Sequence, residues 1–187
     1  MIRNKKIVIQ CHCLLNCNSK VEGSSEYEGA LDFNKKLIED GFGIIQLPCP
    51  ELLMYGINRW GHSKEQFDNI IYREKCRELL LSYIYQMKMY IDNAYEIRGI
   101  IAIDGSPSCG YNKTCSSKEW YGELSGCKNL SEKIGDIKLI DGKGVFIEEL
   151  IKLLDEYTID IPIFGIDESR LEESINDVYK KLVINFI

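Results

Sequence analysis

In "RGIIAIDGSPSCG", residues 98–110, an almost unbroken apolar run from Gly99 to Ile103 stops abruptly on a turn. A strand with helices over both faces needs such a run, because neither face meets water. The turn, Asp104 to Gly110, packs one proline, two serines and two glycines around a single thiol, Cys109. Proline presets φ, glycine reaches conformations closed to other residues, and serine hydroxyls bond the nearby backbone. The stretch therefore reads as a buried strand delivering a cysteine at its carboxyl end.

The chain on either side repeats this pattern. "KKIVIQ" (5–10) is a first β-branched strand, followed by a polar loop over 11–28. "ALDFNKKLIEDG" (30–41) spaces apolar residues at 31, 33, 37 and 38, with Gly41 as a helix stop. "FGIIQLP" (42–48) is a second strand. Ser63 and Gln66 form a capping-box pattern that opens a long helix, with room for a break, to about Asn93. After the third strand (98–104), residues 105–144 read as a long, mostly irregular excursion. A helix at 145–157, a fourth strand at 161–167 and a closing helix at 169–184, capped from Ser169 to Glu172, complete the chain. Strands alternating with helices imply right-handed crossovers and a mostly parallel sheet. The expected fold is an α/β three-layer sandwich with four to five strands, of the Rossmann or flavodoxin type, as one domain over residues 1–187.

Composition narrows the function classes. The 187 residues are 45% hydrophobic and 28% charged, with a net charge of −6. That balance argues against a broad nucleic-acid footprint. The longest apolar runs are about six residues, against the roughly 20 needed to span a bilayer. "MIRNKK" is basic, but the apolar stretch after it is too short for a signal peptide. A cytoplasmic protein with no membrane partner is expected. Eight cysteines in a reducing compartment point to metal, cluster or catalysis rather than a disulfide framework. Cys76, inside the helical pattern "YREKCRELLLSYI", reads instead as core packing.

In a parallel sheet the carboxyl ends of all strands share one edge, where ligands bind. Here strand one ends at Cys11 and Cys13, strand two at Cys49 and strand three at Cys109. Thiols far apart in sequence should therefore converge, which suits an iron–sulfur cluster or a zinc ion. The bland alternative is a set of separate buried or surface thiols. Three ligands with a fourth position open would mean chemistry rather than structure. Glu51, after Cys49-Pro50, is either a general acid–base carboxylate at this edge or a solvated loop residue. Ser106 and Ser108 either bind a substrate carbonyl or cluster sulfide, or simply make the turn. Asp104 is an acceptor or a turn cap. His12 is a ligand, a proton donor or a side chain facing away, and His62 reads as loop. Tyr55, Arg59 and Trp60 form either a lid over a flat ring or a loop packed on the sheet. The tyrosines of the long helix serve a core or an oligomer seam, and a homodimer is the assembly considered.

The motif set resembles the thiouracil desulfidase family. The family pattern Ala-Cys-Leu-Leu-Gly is matched by His12-Cys13-Leu14-Leu15-Asn16, Cys-Pro-Glu by Cys49-Pro50-Glu51, and Ser-Pro-Ser-Cys-Gly by residues 106–110. The resemblance implies a 4Fe-4S cluster held by Cys13, Cys49 and Cys109, with an exposed fourth iron that takes up sulfur from a thiolated nucleobase. It also implies acid–base help, for which Glu51 leads with Ser106 and Asp104 as helpers. Asn16 replaces the family glycine, and Lys20-Val21-Glu22-Gly23 replaces Arg-Tyr-Asp-Gly, so the loop bordering the substrate is altered. Cys11 or Cys17 could stand in for Cys13 or fill the fourth position, while Cys115 and Cys127 have no assigned role. The expected activity is non-redox removal of sulfur from a small thiolated molecule. A sulfide carrier using the same cluster or cysteine persulfides is the alternative, and a structural metal module is a third reading.

Overall fold

The structure, a computed structural model, describes residues 3–184. Four parallel strands form the main sheet: β1 (Lys6–Gln10), β2 (Gly43–Gln46), β3 (Glu96–Ile103) and β4 (Ile163–Ile166). Their order is β2-β1-β3-β4, with Val8 opposite Ile44 on one side and Gly99 on the other. The sequence-based expectation of a three-layer α/β fold holds, with four strands in that sheet.

The sheet changes direction at its centre. From β1 the chain crosses to β2 through α1 (Phe33–Glu39). It then returns past β1 through α2 (Ile70–Asp92) to β3 and continues through α3 (Val145–Glu156) to β4. Right-handed crossovers in opposite directions place α1 on one face and α2 with α3 on the other. A closing helix, α4 (Leu171–Ile184), packs beside α1, where the Phe33 and Tyr179 rings meet edge to face at 6.4 Å.

The helices form because their apolar residues fall on one stripe. In α2, Tyr72, Cys76, Leu80, Ile84 and Met87 recur every three or four residues and are buried. Full burial of a side chain such as Leu80 or Ile84 contributes about 1.5–3 kcal/mol. On the opposite face, a Cβ at Gly99 would stand 2.7 Å from the Phe164 ring and 3.0 Å from Leu182. The glycine inside β3 therefore lets α4 lie close to the sheet.

The long helical pattern contains the break it left room for: a short turn, Lys64–Phe67, ends at Asp68, and Asn69 then caps α2 by accepting from Tyr72 N at 3.0 Å. The Ser169–Glu172 cap is replaced by Asp167, whose carboxylate accepts from Ser169 N at 3.1 Å in a 3-10 turn before α4. The excursion over 105–144 is mostly irregular, as expected, but not without structure. It contains an antiparallel ribbon, β5 (Lys113–Ser116) with β6 (Lys138–Asp141), and a short helix, Leu130–Asp136. Strands of four residues, one half-buried and one exposed along its length, carry little of the apolar alternation by which a strand is read. No helix among the described residues is long and apolar enough to cross a membrane.

Candidate functional site

The direction change at β1 and β3 opens a crevice at their carboxyl ends. Cys13 lies in a single helical turn, His12–Leu15, just past β1. Cys49 caps the helix Pro50–Tyr55 after β2, and its sulfur accepts from Leu52 N at 3.4 Å. Pro50 suits that first helical position because its missing N–H has no partner to lose there. Cys109 sits in the turn after β3, where Ser106 Oγ accepts from Ser108 N at 3.2 Å and Cys109 N at 2.9 Å.

The start of α3 holds the same turn from behind. Val145 N donates to Pro107 O at 3.0 Å, Phe146 N to Ser108 O at 3.0 Å, and Gly144 N to Gly110 O at 2.9 Å. Amides with no partner inside their own helix are thereby satisfied. The approach is so close that a Cβ at Gly144 would lie 2.4 Å from the Ser108 carbonyl.

Cys13, Cys49 and Cys109 line one cavity of about 270 Å³, together with Glu51, Ser106 and Ser108. Glu51 is buried despite its charge. Its Oε1 accepts from the Ser108 hydroxyl and, at 3.4 Å, from Ser106 Oγ. Its Oε2 faces Arg59 Nε at 3.3 Å. Arg59 is held in turn by Ser19 O at 2.7 Å and Gly56 O at 3.1 Å.

The thiols disfavour one another's charge. Burial raises the Cys13 pKa well above the ordinary thiol value, and Cys109 and Cys49 add to the shift. Burial, then Cys109, pushes Cys49 up to about 12. Cys109 is raised first by a hydrogen bond with Cys11 and then by burial. A cationic centre among them reverses this, because metal-bound thiols lose their protons. Among the described residues, no three His, Cys, Asp or Glu side chains stand close enough to share one ion. Three soft donors spread around a cavity fit a group wider than a single ion, as an iron–sulfur cluster is.

Other residues fall differently from their sequence reading. Asp104 is outside the cavity. Its carboxylate accepts from Tyr111 N at 3.1 Å, Asn112 N at 2.8 Å and Asn112 Nδ2 at 2.9 Å, which ties the base of the excursion. Asn16 is also outside, capping the 3-10 turn Cys17–Ser19 by accepting from Asn18 N at 3.2 Å. Neither Cys11 nor Cys17 lines the cavity, but Cys115, on β5, does. Arg59 is not a lid, since its side chain is 3% exposed. Trp60 next to it is 73% exposed. His62 lines the cavity, stacks on Phe67 with ring centroids 4.9 Å apart, and keeps a buried Nδ1 with no hydrogen-bond partner among the described residues. Burial lowers its pKa against the pull of Glu51. In the altered loop, Lys20 and Val21 border the cavity, and Lys20 Nζ binds Glu168 Oε1 at 2.6 Å. Arg59 and Cys115 were poorly legible because both reach the cavity from segments without a strand-end signal.

A protein of Methanocaldococcus jannaschii, described as uncharacterized protein MJ0003, is 34% identical over 158 residues, covering 82% of this chain and 99% of that protein. The solved structure of a [4Fe-4S]-dependent thiouracil desulfidase, TudS, superposes with a TM-score of 0.52 at 18% identity, over 93% of this chain and 98% of that one. At that identity the likeness speaks for the fold. The model of a family described as "Putative 2-thiouracil desulfurase" matches residues 5–183. By that match, which takes in all four strands of the main sheet and every cavity thiol, the chain belongs to the 2-thiouracil desulfurase family.

Proposed function

We propose that this protein is an iron–sulfur-dependent desulfidase that converts C=S to C=O in a small thiolated substrate, such as a thiolated pyrimidine. The observation that supports it most is the meeting of three thiols from three strand ends, two buried and one half-buried, with a buried carboxylate and its serine hydroxyls in one cavity. Membership of the desulfurase family supports it independently.

Cys13, Cys49 and Cys109 would hold a 4Fe-4S cluster. When bound, the cluster supplies a soft Lewis acid for sulfur with no change in oxidation state. The chain's own residues manage water and protons. Glu51 takes a proton from the attacking water, and the Ser106 and Ser108 hydroxyls, both bonded to Oε1, orient that carboxylate toward the substrate. Arg59 fixes its other oxygen. Water's oxygen joins the ring carbon, the C–S bond breaks, and the sulfur leaves with both protons of the water as hydrogen sulfide. Glu51 returns the proton it borrowed, so atoms and electrons balance.

The test is anaerobic cluster reconstitution followed by turnover of 2-thiouracil. Expected products are uracil and sulfide in equal amounts. Cys13→Ser, Cys49→Ser and Cys109→Ser should each lose the brown colour. Glu51→Gln should keep it and lose turnover by about a hundredfold or more. Colour retained in all three cysteine variants would overturn the ligand set. A sulfide carrier is the second reading, favoured by the extra cavity thiol, Cys115. Uptake of sulfide with no change in any thiolated base would select it.

A further inference from the structure

The three-cysteine set leaves one corner of a cluster without a protein ligand, and the cavity contains a fourth thiol. Of the five other cysteines, Cys115 alone lines it. Cys11 is fully buried and bonds to Cys109. Cys76 lies on the buried face of α2, and Cys127 lines a separate groove with Trp60 and Trp120. Cys115 is half-buried, and its strand is fixed to the cysteine-bearing turn. Gly105 N donates to Lys113 O at 2.9 Å, and Thr114 Oγ1 to Ser106 O at 3.1 Å. On the far side, Ser117 N donates to Glu65 at 2.9 Å and Ser63 Oγ to Ser117 O at 3.1 Å. A thiol carried on so anchored a strand keeps a set position relative to Cys109.

We propose that Cys115 is the resting ligand of the corner that Cys13, Cys49 and Cys109 leave open, and that the substrate's sulfur displaces it. This rests on the desulfidase reading of the same cavity. The step is a ligand exchange: one sulfur replaces another, the displaced thiolate takes up a proton, and nothing is oxidised or reduced. The exchange would shield the open corner from loss of iron between turnovers, and it favours thiocarbonyl substrates over oxygen analogues because only a soft donor competes with a thiolate.

The experiment uses the full chain, reconstituted anaerobically, as wild type and Cys115→Ala. Iron and sulfide content come first. Iodoacetamide alkylation is then mapped by mass spectrometry in loaded and cluster-free protein, and inorganic sulfide is titrated by absorbance. With a full cluster, Cys115 should be alkylated about tenfold more slowly in loaded wild type, while Cys127 is unaffected. Cys115→Ala should bind sulfide about tenfold more tightly, since no internal thiol competes. Full iron content with Cys115 alkylated equally fast in both states, or equal sulfide affinity in the two proteins, overturns the proposal and leaves the desulfidase reading intact. Failure of wild type to take up any cluster overturns both.

Discussion

Arg59 Nε lies 3.3 Å from Glu51 Oε2, with the two side chains only 3% and 10% exposed. Breaking a buried pair from one side strands the other charge, at a cost of about 3–5 kcal/mol. Arg59→Met should therefore destabilise the protein by roughly 3 kcal/mol, read as a lower urea midpoint at unchanged slope. Adding Glu51→Gln to it should cost less than the sum of the two single changes, because the charge left stranded is removed. Additive losses would show that the pair is not coupled.

Gly144 is remote in sequence from every cavity cysteine, yet a side chain there would meet the Ser108 carbonyl at 2.4 Å. Gly144→Ala must push α3 away from the 106–110 turn or distort it. Overpacking of this kind costs about 1–3 kcal/mol. The variant should unfold at lower temperature and retain less iron per chain after reconstitution. Wild-type iron content would mean that the turn does not depend on this contact.

Lys20 and Glu168 are 148 positions apart and pair at 2.6 Å with side chains 12% and 16% exposed. Together they fix the 17–28 loop over the cavity. Lys20→Met should raise the KM for a thiolated pyrimidine several-fold while changing kcat little, the pattern of lost positioning in ground and transition state alike. An equal fall in kcat and kcat/KM would place Lys20 in the chemical step instead.

Glu148 anchors α3 to α2. Burial raises its pKa, but hydrogen bonds from Lys64, at 2.5 Å, and Arg73, at 2.6 Å, outweigh that and hold it below its ordinary 4.5. The folded protein thus binds fewer protons than the unfolded chain in this window, so stability rises with pH there. The contribution is complete above pH 4.5 and is lost as pH falls through the depressed folded value. Urea midpoints taken downward from neutral pH should fall below pH 4.5, and Glu148→Gln should flatten that limb. An unchanged acid limb in Glu148→Gln would assign it to other carboxylates.

The polarity of the sheet was legible without coordinates. Apolar runs such as 99–103 mark strands buried on both faces, and alternation with helices makes those strands parallel. Their carboxyl ends then share one edge. That constraint alone predicts that a thiol from Cys11 or Cys13 meets Cys49 and Cys109; the resemblance implies Cys13, and Cys13 rather than Cys11 lines the cavity. The long helical pattern after Ser63, with room for a break, was also legible, but not the place of that break at Asp68, which depends on Asn69 capping a new helix.

Only the tertiary structure decided which neighbours of those cysteines face the cavity. Asp104 follows the strand end as directly as Ser106 does, yet backbone amides of Tyr111 and Asn112 draw its carboxylate away. Asn16 turns to cap its own loop. Arg59 and Cys115 enter from an irregular segment and a short, half-buried strand, whose paths are set by contacts with residues outside them such as Ser19 and Ser106. Strand direction follows from local patterning, because burial on both faces is written along the chain. Side-chain direction in a turn follows from which long-range hydrogen bonds are available, and those exist only once the elements have packed.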